Sequence, residues 1–194
     1  YAEAVESHVG EMKPQKYIIP ANGHNLKHPA GIIVSGSAGE KVQSSAGFLC
    51  QAAAGCGLTV TQKNDNPVTQ GSGFSLSEVI ISPEEINYTG VIEADFVIIV
   101  SEDGLKELRS QGIYDKLKKE TVFIIDESIK IDKSGLNVIP LPLRKLCGAD
   151  KACLGAVDYY IRKYKPFEHD AFKIILEKKF GEYSKIFKSE YYNI

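Results

Sequence analysis

Apolar and polar positions change period several times along the chain, and each change marks an element. Gly31–Gly36, GIIVSG, is a short apolar run rich in β-branched residues, the pattern of a strand covered on both faces. A glycine-containing turn follows, after which Val42, Ala46, Leu49 and Ala53 recur at helical spacing. This helix is unusually small-sided (Ala46, Gly47, Ala52, Ala53, Ala54, Gly55), which lets it lie close against a sheet, and Gly55 or Gly57 can cap its end. LTVTQKN alternates as a second strand, and FSLSEVIIS, Phe74–Ser82, as a third. DFVIIV (Asp95–Val100) and TVFIID (Thr121–Asp126) are continuous buried-strand runs.

Between those two runs, SEDGLKELRSQGIYDKLKK reads as one helix, with Ser101 as N-cap and Glu102 and Asp103 complementing its dipole. Strand, helix, strand at this spacing is a right-handed parallel βαβ unit. NVIPLPL (Asn137–Leu143) reads as an edge strand, because its prolines exclude a central ladder position. Two helices are expected to finish the chain, Ala149–Lys163 and Phe167–Phe187. The second carries Phe172, Leu176, Phe180, Tyr183 and Phe187, a stripe that most simply packs on the domain, with a partner-binding face as the alternative. The expected architecture is α/β: a Rossmann-like, doubly wound, mostly parallel sheet with flanking helices. Residues 1–29 lack periodicity and carry Gly10, Pro14, Pro20, Gly23 and Pro29, so they read as an N-terminal arm or linker, with a short helix near Ala2–Met12; residues 30–194 form the α/β domain with its C-terminal helices.

Composition narrows the function classes. The 194 residues suffice for one sizeable core, and 43% apolar with 25% charged residues is ordinary globular composition. A net charge of -2 lacks the basic excess of a nucleic-acid-binding protein. No apolar run approaches the roughly 18 residues that span a bilayer, so no membrane partner is expected. The polar start YAEAVESHVGEMK has no apolar centre, so a signal peptide is not expected, and the non-methionine start at Tyr1 suggests a piece cut from a longer polypeptide. Cys50, Cys56, Cys147 and Cys153 stand in two pairs with five residues between partners, wider than metal-binding knuckles. They read as buried free thiols, which suits a cytoplasmic location. His8, His24 and His28 fall at irregular spacing in the arm, and His169 reads as a surface residue of the last helix.

Two glycine-bearing loops carry the candidate chemistry. Gly36-Ser37-Ala38-Gly39-Glu40-Lys41 enters a helix, whose free N–H groups and dipole can hold an anion. It fails the phosphate-loop pattern, since Val42 follows the lysine, and it fails GxGxxG by spacing; Glu40 would repel a phosphate in the first turn. A tight structural turn, or a site for another subunit or an extended cofactor, therefore competes with a nucleotide phosphate. The second loop, Asn64–Gly73, joins the second and third strands and contains Gln70, Gly71, Ser72 and Gly73. In a sheet parallel at its centre both loops fall near carboxyl ends of strands, where such folds bind ligands; the alternative is an ordinary surface connection. There is no GxSxG elbow, no HExxH, no aspartate cluster and no GDG…N element for a diphosphate–magnesium group, so no catalytic residue is assigned and any chemistry must be shared.

Over about residues 30–160 the chain resembles the gamma subunit or domain of 2-oxoacid:ferredoxin oxidoreductases. IIVSGSAGEKVQSSAGFLCQAAA corresponds to the family's strand, GxGGQGV-like turn and alanine-rich helix, VTQGSGFSLSEVIISPEEINYTGVIEADFVIIVSEDGLKEL matches the succession that follows, and KACLGAV is similar to its late small-residue helix. The family's GQG becomes Gly39, Glu40 and Lys41, its loop arginine becomes Gln70, and the asparagine of its late element has no counterpart. The resemblance implies a hetero-oligomer that oxidatively decarboxylates a 2-oxoacid such as pyruvate to an acyl-coenzyme A and passes electrons to ferredoxin. Thiamine diphosphate, magnesium and iron–sulfur clusters would be held by partner subunits or domains, and the gamma chain would be inactive alone. Any coenzyme A contact of this chain would use Gly36, Ser37, Gly39 and Lys41 with Gln70, Gly71, Ser72 and Gly73. The alternative is a free-standing nucleotide- or coenzyme A-binding module.

Overall fold

Alternation along the strands separates two apolar cores. In the computed structural model, which describes residues 22–65, 73–132 and 134–194, Ile32 and Val34 of the first strand join one core while Ile33 joins the other. Side chains of a strand point to opposite faces in turn, so a run that is apolar throughout must be covered on both sides. The six strands among the described residues are β1 (Ala30–Ser37), β2 (Thr59–Asp65), β3 (Phe74–Ser82), β4 (Ala94–Ile99), β5 (Leu117–Asp126) and β6 (Asn137–Leu141), in the spatial order β2-β3-β1-β4-β5-β6. β1, β4, β5 and β6 are mutually parallel. β3 runs antiparallel to both β1 and β2, so a hairpin occupies one side of the otherwise parallel sheet. Prolines do put β6 at the edge, with Pro140 in register with Ile125.

α1 (Val42–Gly55), α4 (Ala152–Tyr164) and α5 (His169–Phe180), with the short α3 (Leu143–Cys147), bury the larger core against one sheet face. α2 (Glu102–Ser110) covers the other through Leu105 and Leu108. Small residues bring helices close: Ala46, Ala52 and Ala53 of α1 are fully buried. Gly104 of α2 rests on β1 so tightly that a Cβ there would lie 2.7 Å from the Gly36 nitrogen. The late aromatic stripe packs on the domain, with Phe172 and Leu176 fully buried and Phe187 nearly so.

Element ends differ from the sequence expectations where backbone conformation intervenes. The helix from Ser101 stops at Ser110, because Gly112 takes φ 64 and a 3-10 turn spans Ile113–Lys116; Leu117–Lys119 then extend β5 instead. The last helix is confined to His169–Phe180, ended by Gly181 at φ 87. α4 begins at Ala152 after a 3-10 turn over Ala149–Lys151, and Leu143 opens α3 rather than closing the edge strand. The described part of the arm is tied to the α4–α5 connection: Asn25 N–H donates to the Pro166 carbonyl at 2.9 Å, and Glu168 N–H to the Gly23 carbonyl at 3.1 Å. The expected helix near Ala2–Met12 and His8 lie outside the described residues.

His169 is not the free surface histidine its sequence position suggests. Its Nε2 lies 2.9 Å from Oδ1 of Asp158, a carboxylate with no exposed surface. Arg162 Nε and the hydroxyls of Tyr183 and Tyr191 also donate to Asp158. This network joins α4, α5 and the C-terminal segment, which explains why a buried charge is tolerated there.

Candidate functional site

All the parallel strands end on one edge, and the glycine turn sits at its centre. β1 ends at Ser37 beside the end of β4, and α1 and α2 leave these strands on opposite faces. That divergence is the topological switch point, where open α/β sheets bind ligands. Because β2 runs in the direction of β1, the end of β2 at Asp65 and the start of β3 at Phe74 lie on the same edge, and Gly73 carbonyl accepts from Ala38 N–H at 2.9 Å. Gly36, Ser37, Gly39, Lys41 and Gly73 are thus brought together. Gln70, Gly71 and Ser72 lie outside the described residues.

Local backbone conformation shapes the turn. Gly39 has φ 91, and Lys41, the residue before α1, sits in the left-handed region at φ 55 and ψ 28. That region favours glycine, so the lysine stands at a position with a steric reason to be glycine. The first turn of α1 contains no acidic residue and no side-chain cap. Beside it opens a depression of about 370 Å³, lined by Ala38, Gly39, Lys41, Gln43, Ser44 and Phe74 among others. Lys41 Nζ stands next to it, 3.1 Å from Asp150 Oδ2, a pair largely in solvent and therefore weak.

Glu40 does not face this depression, contrary to the expectation that it would repel a phosphate in the first turn. It turns inward and is 5% exposed. Its Oε2 accepts from Ser37 N–H at 2.7 Å, and its Oε1 pairs with Arg144 Nη1. Arg144 also donates through Nη1 to the Val100 carbonyl at 3.2 Å and through its backbone N–H to Asp126 Oδ2 at 2.7 Å. On the α2 side, Ser37 Oγ lies 2.9 Å from both Ser101 Oγ and Asp103 Oδ2. Ser101 caps α2 as its sequence suggests, accepting from Gly104 N–H. Arg144, Asp126 and Asp150 were not singled out by sequence, since nothing in their local spacing relates them to a turn about a hundred residues earlier.

The four cysteines are free and buried. Burial pushes the Cys50 and Cys147 thiols up to about 12, and the Cys153 thiol well above its ordinary value, with the Glu40 carboxylate adding to the effect. Among the described residues no group of three or more His, Cys, Asp or Glu side chains could hold a metal ion, and no helix is long and apolar enough to cross a membrane.

Comparison with known proteins places this geometry. The family model for pyruvate ferredoxin/flavodoxin oxidoreductase matches residues 31–182, from β1 through the segment after α5. No curated protein matches the chain. Among solved structures, 2-oxoglutarate:ferredoxin oxidoreductase from Magnetococcus marinus, determined with 2-oxoglutarate, coenzyme A and succinyl-CoA bound, superposes with a TM-score of 0.69 at 21% identity over 80% of this chain. The chain spans only 28% of that polypeptide. The keto/oxoacid ferredoxin oxidoreductase gamma subunit from Geobacter sulfurreducens gives a TM-score of 0.61 at 17% identity, over 77% of this chain and 86% of that one. The pyruvate oxidoreductase subunit PORC from Thermotoga maritima gives 0.61 at 17%, over 79% and 86%. With the family match spanning most of the α/β domain and the fold shared with these oxidoreductase subunits, the chain belongs to the pyruvate ferredoxin/flavodoxin oxidoreductase family.

Proposed function

We propose that this chain is the gamma subunit or domain of a thiamine-diphosphate-dependent 2-oxoacid:ferredoxin oxidoreductase. In that role it assists oxidative decarboxylation of a 2-oxoacid to an acyl-coenzyme A, with electrons passed to ferredoxin, and it is inactive alone. The observation that carries the reading is the family match over residues 31–182, which contains the whole switch-point edge. Iron–sulfur clusters belong to partners in this reading, because the four thiols are buried and burial disfavours the thiolates a cluster needs. Thiamine diphosphate and magnesium are likewise assigned to partners. Four free thiols also agree with a reducing, cytoplasmic setting.

Coenzyme A is the cofactor whose chemistry fits this chain's own residues. The depression beside α1 combines a helix N-terminus without acidic residues, an adjacent cation at Lys41 and an apolar wall at Phe74. Backbone N–H groups and a lysine suit the phosphates of an extended cofactor. Coenzyme A supplies the thiol that accepts the acyl group; Gly39, Lys41 and the Gln70–Gly73 loop would bind and orient it, while Gly36 and Ser37 shape the turn from its inner side.

The test is assembly. The chain is co-produced with the thiamine-diphosphate-binding and cluster-binding chains of its source, purified through a tag on the gamma chain, and assayed for 2-oxoacid-dependent reduction of a viologen dye. A stoichiometric complex that is active only when every chain is present is the expected result. A monomer that recruits none of those chains, yet binds a nucleotide in calorimetry, overturns the reading in favour of a free-standing binding module.

A further inference from the structure

The crevice between β1 and β4 is where folds of this class receive a phosphate, and here it already contains an anion from the chain itself. The Glu40 side chain is 7% exposed and its carboxylate bridges two donors, Ser37 N–H and the Arg144 guanidinium. Arg144 is held in place by the Val100 carbonyl and by Asp126, which is itself buried. Gly36 leaves the room this requires: a Cβ at that position would fall 2.8 Å from Glu40 Oε2 and 2.8 Å from a Val100 methyl. A backbone N–H and a guanidinium converging on one carboxylate is the donor set with which proteins hold oxyanion ligands.

We infer that Glu40 is a built-in anion whose carboxylate fills an oxyanion seat formed by Ser37 N–H and Arg144, and that it thereby makes the switch-point crevice refuse free phosphate and carboxylate ligands. Two physical effects act together. The carboxylate satisfies the donors an incoming oxyanion would need, and its charge opposes a second anion at the same place. Ligand binding is then confined to the outer side of the turn, at the depression beside α1. The inference concerns the inner side of the turn only, and holds whether or not that depression serves coenzyme A.

Chemical rescue of the full chain tests this directly. Glu40→Ala removes the carboxylate and leaves Ser37 N–H and Arg144 facing a space the size of a small carboxylic acid. The variant is expected to lose roughly 6–12 °C in thermal midpoint, and sodium acetate is expected to restore at least half of the loss saturably, at an ionic strength matched with chloride. The parent chain and the double variant Glu40→Ala/Arg144→Met should show no such response. A folded Glu40→Ala variant that responds to acetate no more than the parent overturns the inference. Should Glu40→Ala fail to fold, it is refolded from urea in sodium acetate and, in parallel, in chloride at the same ionic strength. Recovery of folded chain in acetate but not in chloride is then expected, and equal recovery in both overturns the inference.

Discussion

Asp158→Asn is the most informative single substitution for the stability of this fold. Asp158 has no exposed surface and accepts from Arg162 Nε at 2.9 Å and from the Tyr183 and Tyr191 hydroxyls at 2.9 and 2.8 Å, with His169 Nε2 at 2.9 Å. Asparagine keeps the shape but removes the charge, and its amide nitrogen must face one of these donors. Removing one partner of a buried ion pair costs about 3–5 kcal/mol. Arg162 and His169 keep 24% and 26% of their side chains in solvent, which screens what is left unpaired, so the expected loss is at the low end, about 3 kcal/mol. For a chain of this size that is a fall of roughly 6–12 °C in thermal midpoint.

The same substitution has a signature in pH. Burial alone would raise the Asp158 carboxyl, but the His169 hydrogen bond and charge, the Arg162 charge and the Tyr191 hydroxyl outweigh it and hold the group below its ordinary range. A carboxyl whose folded pKa lies below its unfolded value of about 3.9 contributes stability that is complete above about pH 4 and is lost as pH falls through the folded pKa. Urea titrations at neutral pH and between pH 4 and pH 2 measure both effects. A loss under 1 kcal/mol with an unchanged urea slope, or an acid limb as steep in the variant as in the parent, would refute the reasoning.

Other expectations follow from the same contacts. Gly104→Ala places a Cβ 2.7 Å from the Gly36 nitrogen and 2.8 Å from Ser35 Oγ, so it should cost about 2 kcal/mol by urea titration despite the better helix former; a neutral result means α2 does not press on β1 as described. Lys41→Glu should raise the KM for coenzyme A of the assembled enzyme roughly tenfold, equivalent to about 1.4 kcal/mol, while an unchanged KM removes Lys41 from the cofactor site. None of Cys50, Cys56, Cys147 or Cys153 should react with iodoacetamide at pH 8 in the native chain, whereas all four should after denaturation, as read by mass spectrometry; burial raises every one of these thiols. Rapid labelling of Cys50 or Cys147 in the native state would contradict their placement.

Sequence by itself determined what depends on neighbours along the chain. Continuous apolar runs located β1 and β4, alternation located β3, and a stripe near period 3.6 located α1, because burial on two faces or on one imposes these patterns residue by residue. The prolines of β6 announced an edge, and Ser101 announced the start of α2. Element ends were less legible: Gly112 and Gly181 end helices through positive φ, a conformation their flanking residues do not reveal. Tertiary structure alone decided which distant groups meet. Insertion of β3 antiparallel between β2 and β1 brings Gly73 back to the glycine turn, and the parallel order β1-β4-β5-β6 carries Arg144 to Glu40, 104 positions away. Glu40 was legible as a charge in the turn, but its direction was not, because a side chain turns inward only when a distant cation makes burial of its charge tolerable. Asp158 and His169 repeat the lesson: eleven positions apart on separate helices, they carry no shared local signal, and only the packing of α4, α5 and the C-terminal segment makes them a pair.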